Sequence, residues 1–398
     1  MRYYGKRAAF GLAAGLLSLL TSVWASEVKE IRVLYVTFEE QHAPALSNIL
    51  PEPADSGLQG ARLGIADSNT TGKFLKQHYQ LDTVTNADLD ALIRSTEEKV
   101  ANGVQLVVAN MPAAELIALS GVLEGKGVLI FNAGSAKDEL RTQQCLPGVL
   151  HALHSRAMLA DALGQWMIAR RFNKWLLISG SAEGDKAYAN AIRRTAKRMG
   201  GKLVADKVWD FDTDLRRTAQ KELPVFTQTK EYDIVLVADE HGDFGEYVPF
   251  NTWYPRPVAG TQGLTPVAWH RAVEQWGAAQ LQSRFEKQAG RWMTARDYAA
   301  WVAVRSIAEA VTRGGKSDAK SVFDYVVSDN FQLAAFKGRK LSFRKWSGQL
   351  RQPIPLVHPR ALVAQAPLEG YLHPKTELDT LGYDKPESQC RAAEFFSE

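Results

Sequence analysis

Two short apolar runs, residues 104–109 and 128–131, each give way to small polar residues, the first at Asn110 and the second at Asn132 through Ser135. Between them residues 113–123 carry a helical pattern, so the unit reads strand, helix, strand. Runs this apolar fit parallel strands covered on both faces and joined by a right-handed crossover. The alternation extends upstream as a strand over 31–38, a helix over 57–74, a strand over 80–85 and a helix whose face is Leu89, Leu92, Ile93, Thr96 and Val100. After Cys145 it starts afresh. Helices are expected over 152–171, 186–199 and 215–228, alternating with strands over 175–179, 203–211 and 232–238. Residues 287–312 read as one long helix with Tyr298 and Trp301 on its inner side. Strand alternation then surrounds a turn at Ser347-Gly348.

This pattern predicts an α/β protein of two doubly wound, Rossmann-like lobes with a hinge. Residues 26–150 form the first part of lobe 1 and 151–255 form lobe 2. Residues 256–398 supply the return crossing, the C-terminal helices, a strand pair and an irregular tail.

The first 25 residues change the compartment. Arg2, Lys6 and Arg7 precede an apolar run over 8–23, and Val23-Trp24-Ala25 has small residues where cleavage is determined, which marks a secretory signal peptide cut after Ala25. Its removal lowers the 48 basic residues to 45 against 44 acidic ones, so the charge of +4 falls to +1. No general attraction to nucleic acid remains, and the mature chain is expected to be periplasmic and not embedded in the membrane. The two cysteines, Cys145 and Cys390, are expected to pair in that oxidising setting; two free thiols are the alternative.

The motifs of serine hydrolases, P-loop enzymes, dinucleotide binders, zinc proteases and C-x-x-C redox proteins are missing. No enzyme, cofactor or resident metal is expected. What remains is topological: ligands of open parallel sheets bind beyond the carboxyl ends of the strands. Asn110, Asn132, Ser135, Asp239, Glu240 and Gln262 fall there, and Tyr188 opens a helix just after a strand. The same residue types also serve turns and helix caps. The acidic stretch Asp239–Glu246 suits a hard cation or is a solvated loop. Trp253, Tyr254 and Trp269 flank Gln262 as ligand walls or as packing.

Asp185-Lys-Ala-Tyr188 followed by a helix and Gly200-Gly201, within two tandem α/β units, resembles the type I periplasmic substrate-binding proteins. Branched-chain amino-acid receptors of ABC importers are their familiar members. The segments Gly57–Asp67, Ser155–Leu163, Pro257–Gly263, His373–Gly382 and Pro386–Cys390 are similar to a subfamily associated with pyrroloquinoline-quinone-dependent alcohol dehydrogenase systems. The resemblance implies that Tyr188 faces ligand. It also implies that Gln262 stands where amino-acid receptors place an acid for the substrate ammonium, which disfavours an amino acid. The expected function is delivery of a small molecule to an ABC permease by a monomer. A cation or metal-complex receptor, or an exported enzyme, are the alternatives.

Overall fold

The computed structural model describes residues 1, 28–40, 52–210 and 215–392. The expected signal peptide lies almost wholly outside them. Among the described residues no helix is long and apolar enough to cross a membrane.

The first sheet has the order β2-β1-β3-β4-β5, every neighbour parallel. Its strands are β1 (Lys29–Phe38), β2 (Gln77–Asn86), β3 (Leu106–Asn110), β4 (Leu129–Asn132) and β5 (Val149–His151). Helices α1 (Leu58–Leu75), α2 (Leu89–Ala101) and α3 (Ala113–Leu123) connect them. β3 and β4 are buried at every position, as their unbroken apolar runs require.

The second sheet repeats the plan in the order β7-β6-β8-β9, again parallel. It comprises β6 (Lys174–Ser179), β7 (Lys202–Val208), β8 (Ile234–Ala238) and β9 (Val258–Gly260), with α4 (Arg156–Ala169), α5 (Glu183–Met199) and α6 (Leu215–Thr227).

The remaining elements are shared between the lobes. β10 (Thr265–Pro266), β14 (Ile354–His358) and β15 (Ala361–Ala366) make an antiparallel sheet, and Ile354, Leu356 and Ala366 join the second core. Helices α7 (Ala278–Ala289), α8 (Ala295–Gly314) and α9 (Ala319–Val326) return to the first core. So does a small sheet of β11 (Leu333–Ala334), β12 (Lys340–Phe343) and β13 (Leu350–Arg351). The chain therefore crosses between lobes three times, near 152–155, 267–277 and 352–353.

Two expectations change here. Residues 287–312 are not one helix. Gly290 ends α7 in the left-handed region (φ 69°), and Thr294 opens α8 through a capping box with Asp297. The predicted helix over 152–171 begins only at Arg156, capped by Ser155, which leaves 152–155 free to cross. α1 and α8 approach closely because α1 carries glycines on that face. A Cβ on Gly60 would lie 1.9 Å from the Asp297 carbonyl oxygen, and one on Gly64 2.8 Å from Val304 Cβ.

Cys145 and Cys390 form a disulfide. The tail it holds touches both lobes: Gln389 N–H donates to the Thr142 carbonyl, while Gly382 N–H donates to Asp161 and Glu387 pairs with Arg194.

Candidate ligand site between the lobes

At the first lobe's strand ends, Asn132 closes a turn on itself. Its Oδ1 accepts the Gly134 and Ser135 N–H groups at 3.1 and 2.8 Å, and its Nδ2 donates to the Ser135 carbonyl at 2.8 Å and faces His151 Nδ1 at 3.0 Å. Among the described residues Ser135 Oγ accepts only the Lys137 N–H, at 3.4 Å. Asn110 lies at the entry to α1. Its Nδ2 donates to the Ser56 carbonyl, which also accepts from Tyr35, and Gly57 N–H donates to the fully buried Asp297 at 2.7 Å. Asn110 Oδ1 is buried with no partner.

In the second lobe Asp239 ends β8, and its carboxylate turns back into its own loop. It accepts four backbone N–H groups, from Gly242, Asp243, Phe244 and Gly245, at 2.6–3.0 Å. Asp185 does the same for the next two residues, accepting the Glu240 and His241 N–H groups at 2.6 and 3.1 Å. Burial pushes its carboxyl up, against the pull of those donors. Glu240 points elsewhere, into a two-pronged pair with Arg156 at 2.8 and 2.6 Å. Tyr188 is 2% exposed, and its hydroxyl has no hydrogen-bond partner among the described residues. Burial, and then the Glu240 charge, raise the phenol above its ordinary value. Gln262 lies beside Asp239: a Cβ on Gly245 would be 2.9 Å from both Asp239 Oδ2 and Gln262 Cγ.

Arg156, which was not among the sequence candidates, links the lobes. Its N–H donates to the Ala136 carbonyl of the first lobe at 3.2 Å, while its guanidinium holds Glu240 of the second. Glu240 is thereby tied to the first lobe at Ala136, beside Ser135, and its charge acts on the Tyr188 phenol. Among the described residues no hydrogen bond joins Asn110 or Gln262 to these groups. A cation at the first position of a helix opposes the helix dipole, and that was the available signal for Arg156.

Two further groups sit at the crossings. His154 is buried with its Nδ1 unpartnered, and burial, reinforced by the Lys337, Arg141 and Arg156 charges, lowers its imidazole to about 3. Lys337 donates to Gln352 Oε1 at 2.7 Å and the Pro353 carbonyl at 3.1 Å, and its Nζ lies 4.6 Å from the centre of the Tyr298 ring. Burial holds its ammonium well below the usual range.

The acidic stretch does not assemble a cation site. Asp239 is occupied by its loop, Glu240 by Arg156, and Asp243 faces His241 at 2.9 Å. Among the described residues no group of three or more His, Cys, Asp or Glu is placed to hold a metal. Trp269 and Tyr254 are packing residues. The first stacks on Tyr298 at 4.8 Å and donates to Gln282, and the second packs edge-on against Tyr232 at 5.3 Å.

Two parallel α/β sheets joined by three crossings define the arrangement. A family model described as periplasmic binding protein matches residues 51–240. The fold is that of a type I periplasmic binding protein. A branched-chain amino-acid ABC-transporter ligand-binding protein from Burkholderia xenovorans shares it at a TM-score of 0.71 and 16% identity, over 91% of this chain and all of that one. A leucine-, isoleucine-, valine-, threonine- and alanine-binding protein from Brucella ovis in its closed conformation gives 0.66 and 14%, over 82% and 89%. A Rhodopseudomonas palustris solute-binding protein in complex with 3,4-dihydroxybenzoic acid gives 0.60 and 12%, over 84% and 97%. No curated protein matches the sequence.

Proposed function

We propose that this chain is the periplasmic solute-binding component of an ABC importer, closing two lobes on a small molecule that it hands to a permease. The fold supports this reading, and so does the binding role of the proteins that share it. The observation that carries the site is Tyr188: a phenol buried to 2% exposure with an unpartnered hydroxyl. Leaving such a group unsatisfied costs roughly 1–3 kcal/mol, which a ligand hydrogen bond would recover.

The ligand is a neutral or hydroxyl-bearing molecule. Gln262 offers an amide where an ammonium would need a carboxylate, and Glu240 is already neutralised by Arg156. Both favour such a ligand over a free amino acid. The resemblance to proteins of pyrroloquinoline-quinone-dependent alcohol oxidation systems favours alcohols and their oxidation products.

A thermal-shift screen tests the reading, using alcohols, their acids, branched-chain amino acids, aromatic carboxylates and pyrroloquinoline quinone. A ligand at a hundredfold excess over its Kd stabilises by about 2.7 kcal/mol. Stabilisation by an alcohol, without turnover, is the expected result. Selective stabilisation by leucine would overturn the ligand class, and turnover of an alcohol or ester would overturn the binding role.

A further inference from the structure

A second concavity lies outside the cleft, where β12 and β13, the end of α9 and the tail meet. Its volume is about 430 Å3, and none of the strand-end residues lines it. That is large enough for a small organic ligand. Four cations line it, Lys340, Lys345, Arg351 and Lys385, against one acid, Asp329.

Their partners leave that charge largely unanswered. Lys345 meets Asp329 at 2.9 Å, with the two side chains 50% and 91% exposed, a surface pair of little strength. Among the described residues Lys340 donates only to the Gln332 amide oxygen, at 2.8 Å. The Lys385 ammonium has no partner among the described residues. Arg351 is the exception, held by Asp379 at 2.7 Å. Of the other acids of the tail, Glu377 pairs with Arg339 and Glu387 with Arg194, while Asp384 accepts the Lys385 N–H at 2.7 Å and meets His373 at 3.5 Å.

The apolar part of the lining is Leu341 with three aromatic residues. Phe331 and Phe343 are buried at its floor, and Trp346 lines it with the Arg351 and Arg344 guanidiniums 5.3 and 5.6 Å from its ring. The Trp346 indole N–H is buried without an acceptor. The groove thus has donors and positive charge in surplus around flat apolar walls. A single inorganic oxyanion would leave those walls uncovered, and an aromatic monocarboxylate would leave most of the ammonium groups unpaired.

We propose that this groove is a second binding site, separate from the interlobe cleft, for a planar aromatic polycarboxylate. The ring lies against Trp346, and the carboxylates reach Lys340, Lys345 and Lys385.

Isothermal titration of the full mature chain with benzene-1,3,5-tricarboxylate tests this, with benzoate, inorganic phosphate and a poly-glutamate peptide as comparison probes. The tricarboxylate is expected to bind saturably and to weaken as salt is raised. Benzoate and phosphate should bind at least about tenfold more weakly, the scale of one lost charged contact. K345Q/K385Q, which changes only exposed side chains, should lose roughly tenfold or more for the tricarboxylate. Y188F should leave its binding unchanged, which separates this site from the cleft. Absence of saturable tricarboxylate binding would overturn the proposal, as would equal binding by wild type and K345Q/K385Q. Binding of poly-glutamate alone would replace it with an acidic protein partner.

Discussion

Each lobe divides the polar side chains near its strand ends in the same two ways, some occupied by the scaffold and some left open. In the first lobe Asn132 is fully occupied by its own turn, and Asn110 keeps only one oxygen free. In the second, Asp239 is as fully occupied as Asn132, yet Tyr188 one helix away keeps an unpartnered hydroxyl in a buried setting. A polar residue at a strand end is therefore not by position a ligand group. Hydrogen-bonding capacity left open is what separates scaffold from site. Substitution at the occupied groups should cost stability, and substitution at the open ones should cost affinity.

The largest effect is expected for Asp239→Asn. The amide presents its own N–H groups to backbone donors that now meet a carboxylate, so unfolding free energy should fall by about 3 kcal/mol in urea titration. Preserved stability with lost ligand binding would move Asp239 from scaffold to site. Asn132→Ala should follow at about 2 kcal/mol, since two N–H groups and a carbonyl lose their partner.

The crossings supply a pH test. The His154 imidazole is lowered to about 3 by burial, below the ordinary 6.5. Between those values the unfolded chain binds the extra proton, so stability is full above about 6.5 and is lost as pH falls toward 3. One such group contributes a slope of about 1.4 kcal/mol per pH unit. His151, also buried with a lowered imidazole, acts in the same direction. His154→Gln should therefore flatten the acid limb of the stability profile without abolishing it. An unchanged slope would place His154 in solvent. A smaller loss is expected for Arg156→Gln. Its partner Glu240 is 32% exposed, so the loss should be under about 1 kcal/mol by chemical denaturation.

Much of the fold was legible because buried parallel strands leave unbroken apolar runs, as in β3, β4 and β8. The break at Gly290–Thr294 was not seen, since apolar residues on both sides kept helical spacing while the cap signals lay between them. The site was less legible. A single sequence places Asp239 after β8, but whether its carboxylate faces the cleft or curls into Gly242–Gly245 depends on backbone geometry that the composition does not encode. Tyr188 was reachable by resemblance and Arg156 by its unfavourable place at a helix start. Lys337 had no local signal, because its partners Gln352 and Tyr298 are distant in the chain. The cysteine pair was the simplest case, two residues and one disulfide.

The central claim is that Tyr188 keeps its hydroxyl open for a ligand in the cleft. The most direct measurement is the Tyr188→Phe variant, assayed by urea unfolding and by titration with whichever small molecule of the screening panel raises the melting temperature of the wild type. Stability should hold or rise, by up to the roughly 1–3 kcal/mol that the unsatisfied hydroxyl costs, because no hydrogen bond is lost, while affinity falls roughly fivefold, about 1 kcal/mol. Unchanged affinity, or stability and affinity falling together, would contradict the account.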